Sequence, residues 1–227
     1  MPTVAFIGPD GAGKTTITRM LLDASVVKLK YLYMGVDVPE GGMALPTSRL
    51  FRRFKSSAPK TGNAAGRAGA SGGRGVRGAV RGFARLANRL SEEWFRQILS
   101  WSYQARGFTV LYDRHFALDF APEITPPGPE SLDRRIHNWC LRRMYPLPDL
   151  VIFLDAPGAL LFARKGELTI EELERRRQGF LTLGKRIPGF VRVDATRPLQ
   201  EVYAEVTNHI LRVCGDTGYR AVGEVAR

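Results

Sequence analysis

The residues best suited to chemistry lie near the N-terminus, where glycines, a lysine and two hydroxyl residues follow one another closely. Residues 8–16 read Gly-Pro-Asp-Gly-Ala-Gly-Lys-Thr-Thr and match the pattern G-x-x-x-x-G-K-[ST]. Glycines let the backbone wrap a phosphate with its N–H groups turned inward, and a following helix adds its positive dipole end. In this pattern Lys14 reaches the β- and γ-phosphates, and the hydroxyl of Thr15 binds Mg²⁺. The stretch therefore predicts a P-loop that binds a nucleoside triphosphate.

The sequence on either side of this loop has the pattern that the motif requires. Thr3 to Ile7 form a β-branched and aromatic run that is typical of a buried strand. From Thr16 to Leu22, apolar residues recur at helical spacing. A strand, a glycine loop and a helix in this order favour a true P-loop over an accidental match.

Further strand and helix patterns alternate along the rest of the chain. Strands are predicted at 26–33, 108–112, 150–154 and 190–193, and helices at 83–106, from 131, from 169 and at 198–213. Residues 214–227 lack a strong pattern. Alternating strands and helices opened by a P-loop predict one domain, residues 1–227, with a three-layer α/β/α fold and a parallel five-stranded sheet. The long helix is expected to bury its apolar positions, which are Phe83, Leu86, Ala87, Leu90, Trp94, Ile98 and Trp101.

The net charge of +12 is concentrated in one segment. Residues 41–91 contain eleven basic residues and no acidic one, so the remainder of the chain is close to neutral. Within this segment, residues 56–82 are rich in Gly, Ala, Arg and Ser and are predicted to form a flexible insertion. Three interpretations stay open: an insertion with no task, a basic arm for an anionic partner, and a mobile cover over an acceptor site. As an arm, residues 49–89 would bind nucleic acid or anionic lipid weakly.

The overall composition is typical of a globular protein, with 44% hydrophobic and 25% charged residues. The two cysteines, Cys140 and Cys214, lie far apart in sequence, which argues against a disulfide framework and for a reducing compartment. The N-terminus has no signal-peptide pattern, and no apolar run is long enough for a transmembrane helix. A cytoplasmic protein is therefore expected.

Polar residues follow several of the predicted strands and so lie at the same sheet edge as the P-loop. Asp113, Arg114 and His115 follow the third strand, Asp155 ends the fourth, and residues 194–198 follow the last. A surface ion pair would also explain Asp113 and Arg114, but their position opposite the P-loop favours a role in the site. His115 is assigned no catalytic role. His137 and His209 are expected at the surface, and Arg175 to Arg177 form either a solvated helix face or part of a lid.

In this order, the motifs resemble the thymidylate kinase family of P-loop nucleoside monophosphate kinases. The resemblance covers Gly8–Thr16, Asp113–His115, Pro148–Ala156, a lid region at about 164–178, and Asp194–Pro198. It implies ATP and Mg²⁺ as cofactors. The implied ATP-binding residues are Gly8, Asp10, Gly11, Ala12, Gly13, Lys14, Thr15, Thr16, Asp194 and Thr196.

The resemblance also implies roles in catalysis. The implied catalytic residues are Lys14, Asp113, Arg114 and Arg164, and the implied metal-binding residues are Thr15 and Asp113. Asp10 matches a carboxylate that in the family lies towards the acceptor nucleotide, and Arg114 matches the arginine that meets the acceptor phosphate. Arg164 would be a lid arginine that closes over the transferring phosphoryl group. Residues 194–198 would lie beside the adenine.

The acceptor half of the sequence departs from the family. Members that use thymidylate have Phe-Pro-Arg after the second strand, where this chain has Tyr33-Met34-Gly35. They also carry a small polar residue and an Ala-Tyr pair after Asp-Arg, where this chain reads Phe116 to Phe120. The expected acceptor is a nucleoside monophosphate or another small phosphate or hydroxyl compound, rather than thymidylate. The alternative is a P-loop NTPase that couples hydrolysis to binding nucleic acid or an anionic membrane; self-association into a homodimer stays open.

Overall fold

Five short strands pair side by side, all parallel, in the order β2-β3-β1-β4-β5. The computed structural model describes residues 1–24, 27–35, 76–119, 121, 123–124 and 132–223. The strands are β1 (Thr3–Ile7), β2 (Leu29–Tyr33), β3 (Thr109–Asp113), β4 (Leu150–Asp155) and β5 (Phe190–Asp194). Because β1 is central, the residues that follow it face those that follow β3 and β4 across one edge of the sheet.

Helices cover both faces of this sheet. They are α1 (Lys14–Ala24), α2 (Val76–Ala105), α3 (Phe116–Asp119), α4 (Leu132–Arg143), α5 (Gly158–Lys165), α6 (Ile170–Gly184) and α7 (Leu199–Gly223). Alternate residues of β1 point to opposite faces: Ala5 and Ile7 join α4 and α6 in one apolar cluster, whereas Val4 and Phe6 join α1 and α7 in another. The predicted three-layer α/β/α fold with a parallel five-stranded sheet is confirmed.

Two helices are longer than the sequence patterns indicate. Helix α2 begins at Val76, so residues 76–82, assigned above to the flexible insertion, are helical, while residues 56–75 lie outside the described residues. Val76, Val80 and Phe83 continue the spacing of four and three residues. Helix α7 continues to Gly223, ten residues beyond the predicted end, because each added residue of a formed helix gains a backbone hydrogen bond.

The prediction that α2 buries its apolar positions is confirmed in part. Leu86 is buried, and Leu90 and Trp94 pack against the core. The other predicted core positions are exposed, and these are Phe83, Ala87, Ile98 and Trp101. Beside its apolar residues the helix also buries a polar stripe, which is made of Glu93, Arg96, Gln97 and Ser100. This stripe meets polar groups near the ends of β2 and β3 and on α4, so polar contacts and apolar packing together decide which face turns inward. The prediction that His137 lies at the surface is also wrong, because His137 is buried and its Nε2 lies 2.7 Å from Oε1 of Glu93.

Within the described residues, no helix is long and apolar enough to cross a membrane.

Candidate active site

The P-loop joins the end of β1 to the start of α1. Gly8 and Gly11 have φ angles of 144° and 87°, and a Cβ atom at either would lie 2.9 Å from a backbone oxygen, of Leu154 and Leu161 respectively. Only glycine fits these positions, so the loop packs closely against β4 and α5. The ammonium group of Lys14 is buried and donates to the carbonyl oxygens of Gly8 (2.7 Å) and Pro9 (2.9 Å). The loop therefore wraps around the lysine ammonium.

The other predicted P-loop residues lie around this lysine. Ala12 is buried and its N–H donates to the carbonyl of Pro9 at 3.3 Å. Gly13 has a φ angle of 92° and precedes α1 directly. Thr15 and Thr16 are exposed in the first turn of α1. Their hydroxyl groups are thus accessible at the helix start, beside the loop.

An ion pair joins the P-loop to the end of β3. Nη2 of Arg114 donates to Oδ1 of Asp10 at 2.7 Å, although the two residues are 104 positions apart. Strand pairing positions them, since Phe6 of β1 lies opposite Asp113 and the N–H of Arg114 donates to the carbonyl of Phe6. Nζ of Lys165 also lies near this carboxylate, 4.0 Å from the same Oδ1 atom of Asp10. Asp10 is therefore close to two cations that come from separate elements.

Asp113 lies buried at the end of β3 and is held by a tyrosine from the neighbouring strand. The hydroxyl of Tyr31 donates to Oδ2 of Asp113 at 3.0 Å. Burial and the nearby Asp113 carboxylate raise the pKa of Tyr31 well above its ordinary value, so the hydroxyl stays a donor. The interaction fixes the orientation of the Asp113 side chain.

The predicted metal ligands fit Mg²⁺ in chemical type. Mg²⁺ prefers oxygen ligands, and the carboxylate of Asp113 and the hydroxyl of Thr15 are both oxygen donors. Among the described residues, no three His, Cys, Asp or Glu side chains cluster around a possible metal position. Mg²⁺ in nucleotide sites commonly takes one or two protein ligands, with phosphates and water completing its shell. The donor set here matches that pattern.

Arg164 connects the P-loop to the segment after β5. Its Nη1 donates to the carbonyl of Gly11 at 3.4 Å and its Nη2 donates to the carbonyl of Ala195 at 3.1 Å. In that segment, Oδ1 of Asp194 accepts from the hydroxyl (2.7 Å) and the N–H (2.9 Å) of Thr196, and these bonds lower the pKa of Asp194. The guanidinium of Arg164 therefore joins the loop that is predicted to bind phosphate to the segment that is predicted to lie beside the adenine.

Most of the remaining basic residues of the predicted lid bind nearby carboxylates. Arg175 and Arg176 both pair with Glu172, at 2.6 and 3.1 Å, and hold the pKa of this carboxyl at about 2. Arg177 pairs with the buried Asp155 at 2.6 Å and so links α6 to β4. For Arg175, Arg176 and Arg177, these contacts favour a helix face with ion pairs over a catalytic role in the lid. The predicted helix start is confirmed, because the hydroxyl of Thr169 accepts from the N–H of Glu172 at 3.2 Å.

Sequence reasoning missed the part of the site that comes from α2. Nη1 of Arg96 donates to the carbonyl of Gly35 at 2.7 Å, and a Cβ atom on Gly35 would lie 3.0 Å from Cδ of Arg114. Arg96 and Arg114 are therefore neighbours around Gly35. Burial lowers the pKa of Arg96 from its ordinary value. Gln97 is 1% exposed, and neither atom of its side-chain amide has a hydrogen-bond partner among the described residues.

The histidine beside Arg114 is buried and neutral. Within the part of the chain that the structure describes, its Nδ1 atom has no hydrogen-bond partner, and burial lowers the pKa of His115 to about 3. Its ring packs against Tyr112 and Phe116, with ring centroids 5.4 and 4.8 Å away.

The buried polar face of α2 had a signal in the sequence, since polar residues at 93, 96, 97 and 100 recur at steps of three, one and three residues and share one helix face.

Comparison with known proteins reveals a distant relative. A thymidylate kinase from Lactobacillus helveticus (strain DPC 4571) is 27% identical over 217 residues, which cover 89% of this chain and 92% of that protein. This chain is similar to a thymidylate kinase over most of its length. No family model matches the chain. The likeness supports a nucleotide-kinase-like activity in general.

Proposed function

We propose that this protein is an ATP- and Mg²⁺-dependent phosphotransferase that transfers a phosphoryl group to a small phosphate or hydroxyl compound other than thymidylate. The observation that carries the proposal is the 2.7 Å contact between Asp10 of the P-loop and Arg114 at the end of β3. In this contact, the arginine that we expect to bind the acceptor phosphate lies next to the loop that we expect to bind the triphosphate. The distant likeness to a thymidylate kinase supports the same reaction class.

The donor side of the proposed site is the P-loop with its flanking segments. Residues 8–16 hold the triphosphate through backbone N–H groups, Lys14 and the hydroxyl of Thr15. Asp113 and Thr15 hold Mg²⁺, which neutralises phosphate charge when it is bound. The segment around Asp194 and Thr196 lies beside the adenine.

The acceptor side of the proposed site is a group of cations. Phosphoryl transfer spreads negative charge over the phosphate oxygens, so positioned cations are the main catalytic requirement. Arg114 turns from Asp10 to the acceptor, and Asp10 then accepts a hydrogen bond from an acceptor hydroxyl. Lys165 and Arg164 supply positive charge from the end of α5, on the other side of the P-loop.

The segment after Arg114 supports an acceptor other than thymidylate. Phe116 and Leu118 stand in the segment where thymidylate-using members carry residues that seat the base, and both are buried in the core. Neither of these two side chains is therefore available to seat a base. Arg96, which belongs to the buried polar stripe of α2, lies beside Arg114 instead, and hydrogen-bonding groups next to Arg114 favour a polar acceptor.

The test is a screen of ATP consumption across nucleoside monophosphates, sugars and amino sugars, with product detection by mass spectrometry. The wild-type chain is expected to phosphorylate at least one acceptor, and Lys14→Ala is expected to abolish the transfer because it removes the charge aimed at the phosphates. Lys185→Ala serves as the matched control, since Lys185 is exposed at the end of α6. Near-normal turnover of Lys14→Ala contradicts the proposal. ATP hydrolysis that nucleic acid or anionic vesicles stimulate, with no acceptor phosphorylated, supports the alternative NTPase.

A further inference from the structure

Tyr31 of β2 turns its hydroxyl group inwards, although the residue as a whole is partly exposed. It is 38% exposed, yet its hydroxyl donates to Oδ2 of the buried Asp113 at 3.0 Å. Surface tyrosines usually bury the ring and leave the polar tip in water. The arrangement here indicates that the hydrogen bond to the carboxylate determines where this side chain lies.

The register between β2 and β3 brings the hydroxyl of Tyr31 to Asp113. Tyr33 pairs directly with Asp113, and Tyr31 pairs with Leu111, two residues earlier on β3. Residues two apart on a strand point to the same face, and diagonal neighbours on paired strands lie within reach of an aromatic side chain. Five residue pairs already join the two strands along their length. The hydroxyl is therefore not needed for strand pairing, and its contact lies at the sheet edge that carries the candidate site.

We propose that Tyr31 is a positioning residue for Mg²⁺, because its hydroxyl holds the carboxylate of Asp113 in the orientation that binds the metal. The inference rests on the proposed function, in which Asp113 and Thr15 hold Mg²⁺. The terminal torsion of an aspartate side chain is broad, so a carboxylate without a partner rotates among many orientations. With Oδ2 in the hydrogen bond to Tyr31, Oδ1 is the oxygen left for the metal.

The requirements of Mg²⁺ make such a hydrogen bond important. Mg²⁺ demands near-ideal octahedral geometry and takes only one or two protein ligands in nucleotide sites. When one of these ligands is rotated out of place, few others remain to compensate for it. Loss of an outer-shell partner of a metal ligand typically lowers metal affinity or activity by about 10–100-fold.

Two other roles of the Tyr31 hydroxyl lead to different expectations. A hydroxyl that only stabilises the fold would affect unfolding but not metal binding. A hydroxyl that contacts the nucleotide directly would change nucleotide affinity even without metal. Direct ligation by a tyrosinate is disfavoured, because burial and the Asp113 carboxylate raise the pKa of Tyr31 well above its ordinary value.

Manganese binding tests the proposal without turnover. The full chain is saturated with a non-hydrolysable ATP analogue, no acceptor is present, and Mn²⁺ replaces Mg²⁺ as a probe that electron paramagnetic resonance detects. Tyr31→Phe keeps the ring and is expected to raise the Kd for Mn²⁺ about tenfold. Asp113→Asn should raise it further, because this variant changes the ligand itself. Tyr103→Phe is the matched control, since it removes a hydroxyl from a tyrosine whose ring packs on Phe108, just before β3, and it should leave the Kd unchanged.

Nucleotide binding without metal separates positioning from a general disturbance of the site. In the presence of EDTA, Tyr31→Phe should bind the ATP analogue as tightly as the wild type does. Unchanged Mn²⁺ affinity of Tyr31→Phe overturns the proposal, and so does an equal loss of nucleotide affinity in EDTA. If Asp113→Asn weakens Mn²⁺ binding and Tyr31→Phe does not, the metal site of the proposed function stands and only the role of Tyr31 fails. If neither variant weakens it, both assignments fail.

Discussion

The backbone of Arg114 has an unusual conformation for its residue type. Its φ angle is 63°, and among the described residues it alone has a positive φ without being glycine. This left-handed conformation costs about 1–2 kcal/mol for a residue with a Cβ atom. The conformation directs the side chain away from the strand and towards Asp10, so the strain accompanies the contact on which the proposed function rests.

Comparing Arg114→Gly with Arg114→Ala separates the role of the side chain from that of the backbone. Both variants should lose phosphoryl transfer by at least about a hundredfold, because both lack the guanidinium. Arg114→Gly should be more stable than Arg114→Ala by about 1 kcal/mol, since glycine adopts this φ without strain. Urea unfolding and steady-state kinetics measure the two effects. Full turnover by Arg114→Gly would show that only the backbone matters at this position.

The two cations at the end of α5, Arg164 and Lys165, make different contacts, so their substitutions should have different effects on kcat and KM. Arg164→Ala is expected to lower kcat by about a hundredfold or more while KM for ATP changes less, because a lid arginine acts mainly as charge moves in the transition state. In the described arrangement its guanidinium holds the carbonyls of Gly11 and Ala195, and it must leave them to reach the phosphoryl group. Lys165→Ala is the companion variant. A rise in KM for ATP without a fall in kcat for Arg164→Ala would assign the catalytic charge to Lys165 instead.

Helix α2 buries only part of the apolar face that its sequence pattern predicts. Its polar stripe is buried beside the candidate acceptor site, whereas several of its large apolar residues are exposed. The buried amide of Gln97 has no partner among the described residues, and a buried amide left unpaired lowers stability by about 1–3 kcal/mol. Features that reduce stability in this way concentrate at functional sites.

Gln97→Leu is expected to increase the free energy of unfolding by about 1–3 kcal/mol, because leucine needs no hydrogen bond in this buried position. If the polar stripe contacts the acceptor, the same variant should raise KM for the acceptor and leave KM for ATP unchanged. Gln104→Leu is the control on the same helix, because the amide of Gln104 donates to the hydroxyl of Ser100 at 3.0 Å. If Gln97→Leu is stabilised and its KM for the acceptor is unchanged, the polar stripe of α2 has only a structural role.

The strands and the P-loop were predictable because their signals are local. Strand β1 contains the continuous apolar run Val4–Ile7 and is buried along its whole length, and the glycine pattern after it specifies a backbone shape. Periodicity predicted Leu86, Leu90 and Trp94 on the inward face of α2. The buried polar stripe was not predictable from apolar periodicity, because the groups it meets lie near β2 and β3 and on α4. The Arg164 contacts were likewise hidden, since Gly11 and Ala195 are distant in sequence.

At the scale of the whole molecule, the basic segment can be tested separately from the folded elements. Residues 56–75 contain Lys60, Arg67 and Arg74 and no apolar side chain larger than proline. Deleting them leaves α2 intact and should keep phosphoryl transfer within a few-fold of wild type, because little apolar surface is removed. Binding to single-stranded DNA should weaken, with the slope of log K against log salt reduced by roughly two to three units. If the deletion abolishes turnover but leaves DNA binding unchanged, residues 56–75 act as a mobile cover of the acceptor site rather than as a basic arm.

The central position of β1 has a consequence for how the chain folds. Val4 pairs with Leu111 and with Leu150, and the N–H of Thr3 donates to the carboxylate of Asp149 at 2.7 Å. Strand β1 therefore gains its second neighbour only about 150 residues after it is synthesised, on the order of 10–30 s later. Until then, Gly8 and Gly11 lack the carbonyls of Leu154 and Leu161 against which they pack. Such long-range pairing slows folding, so a chain stalled before β4 should bind no ATP although it already contains the complete P-loop sequence.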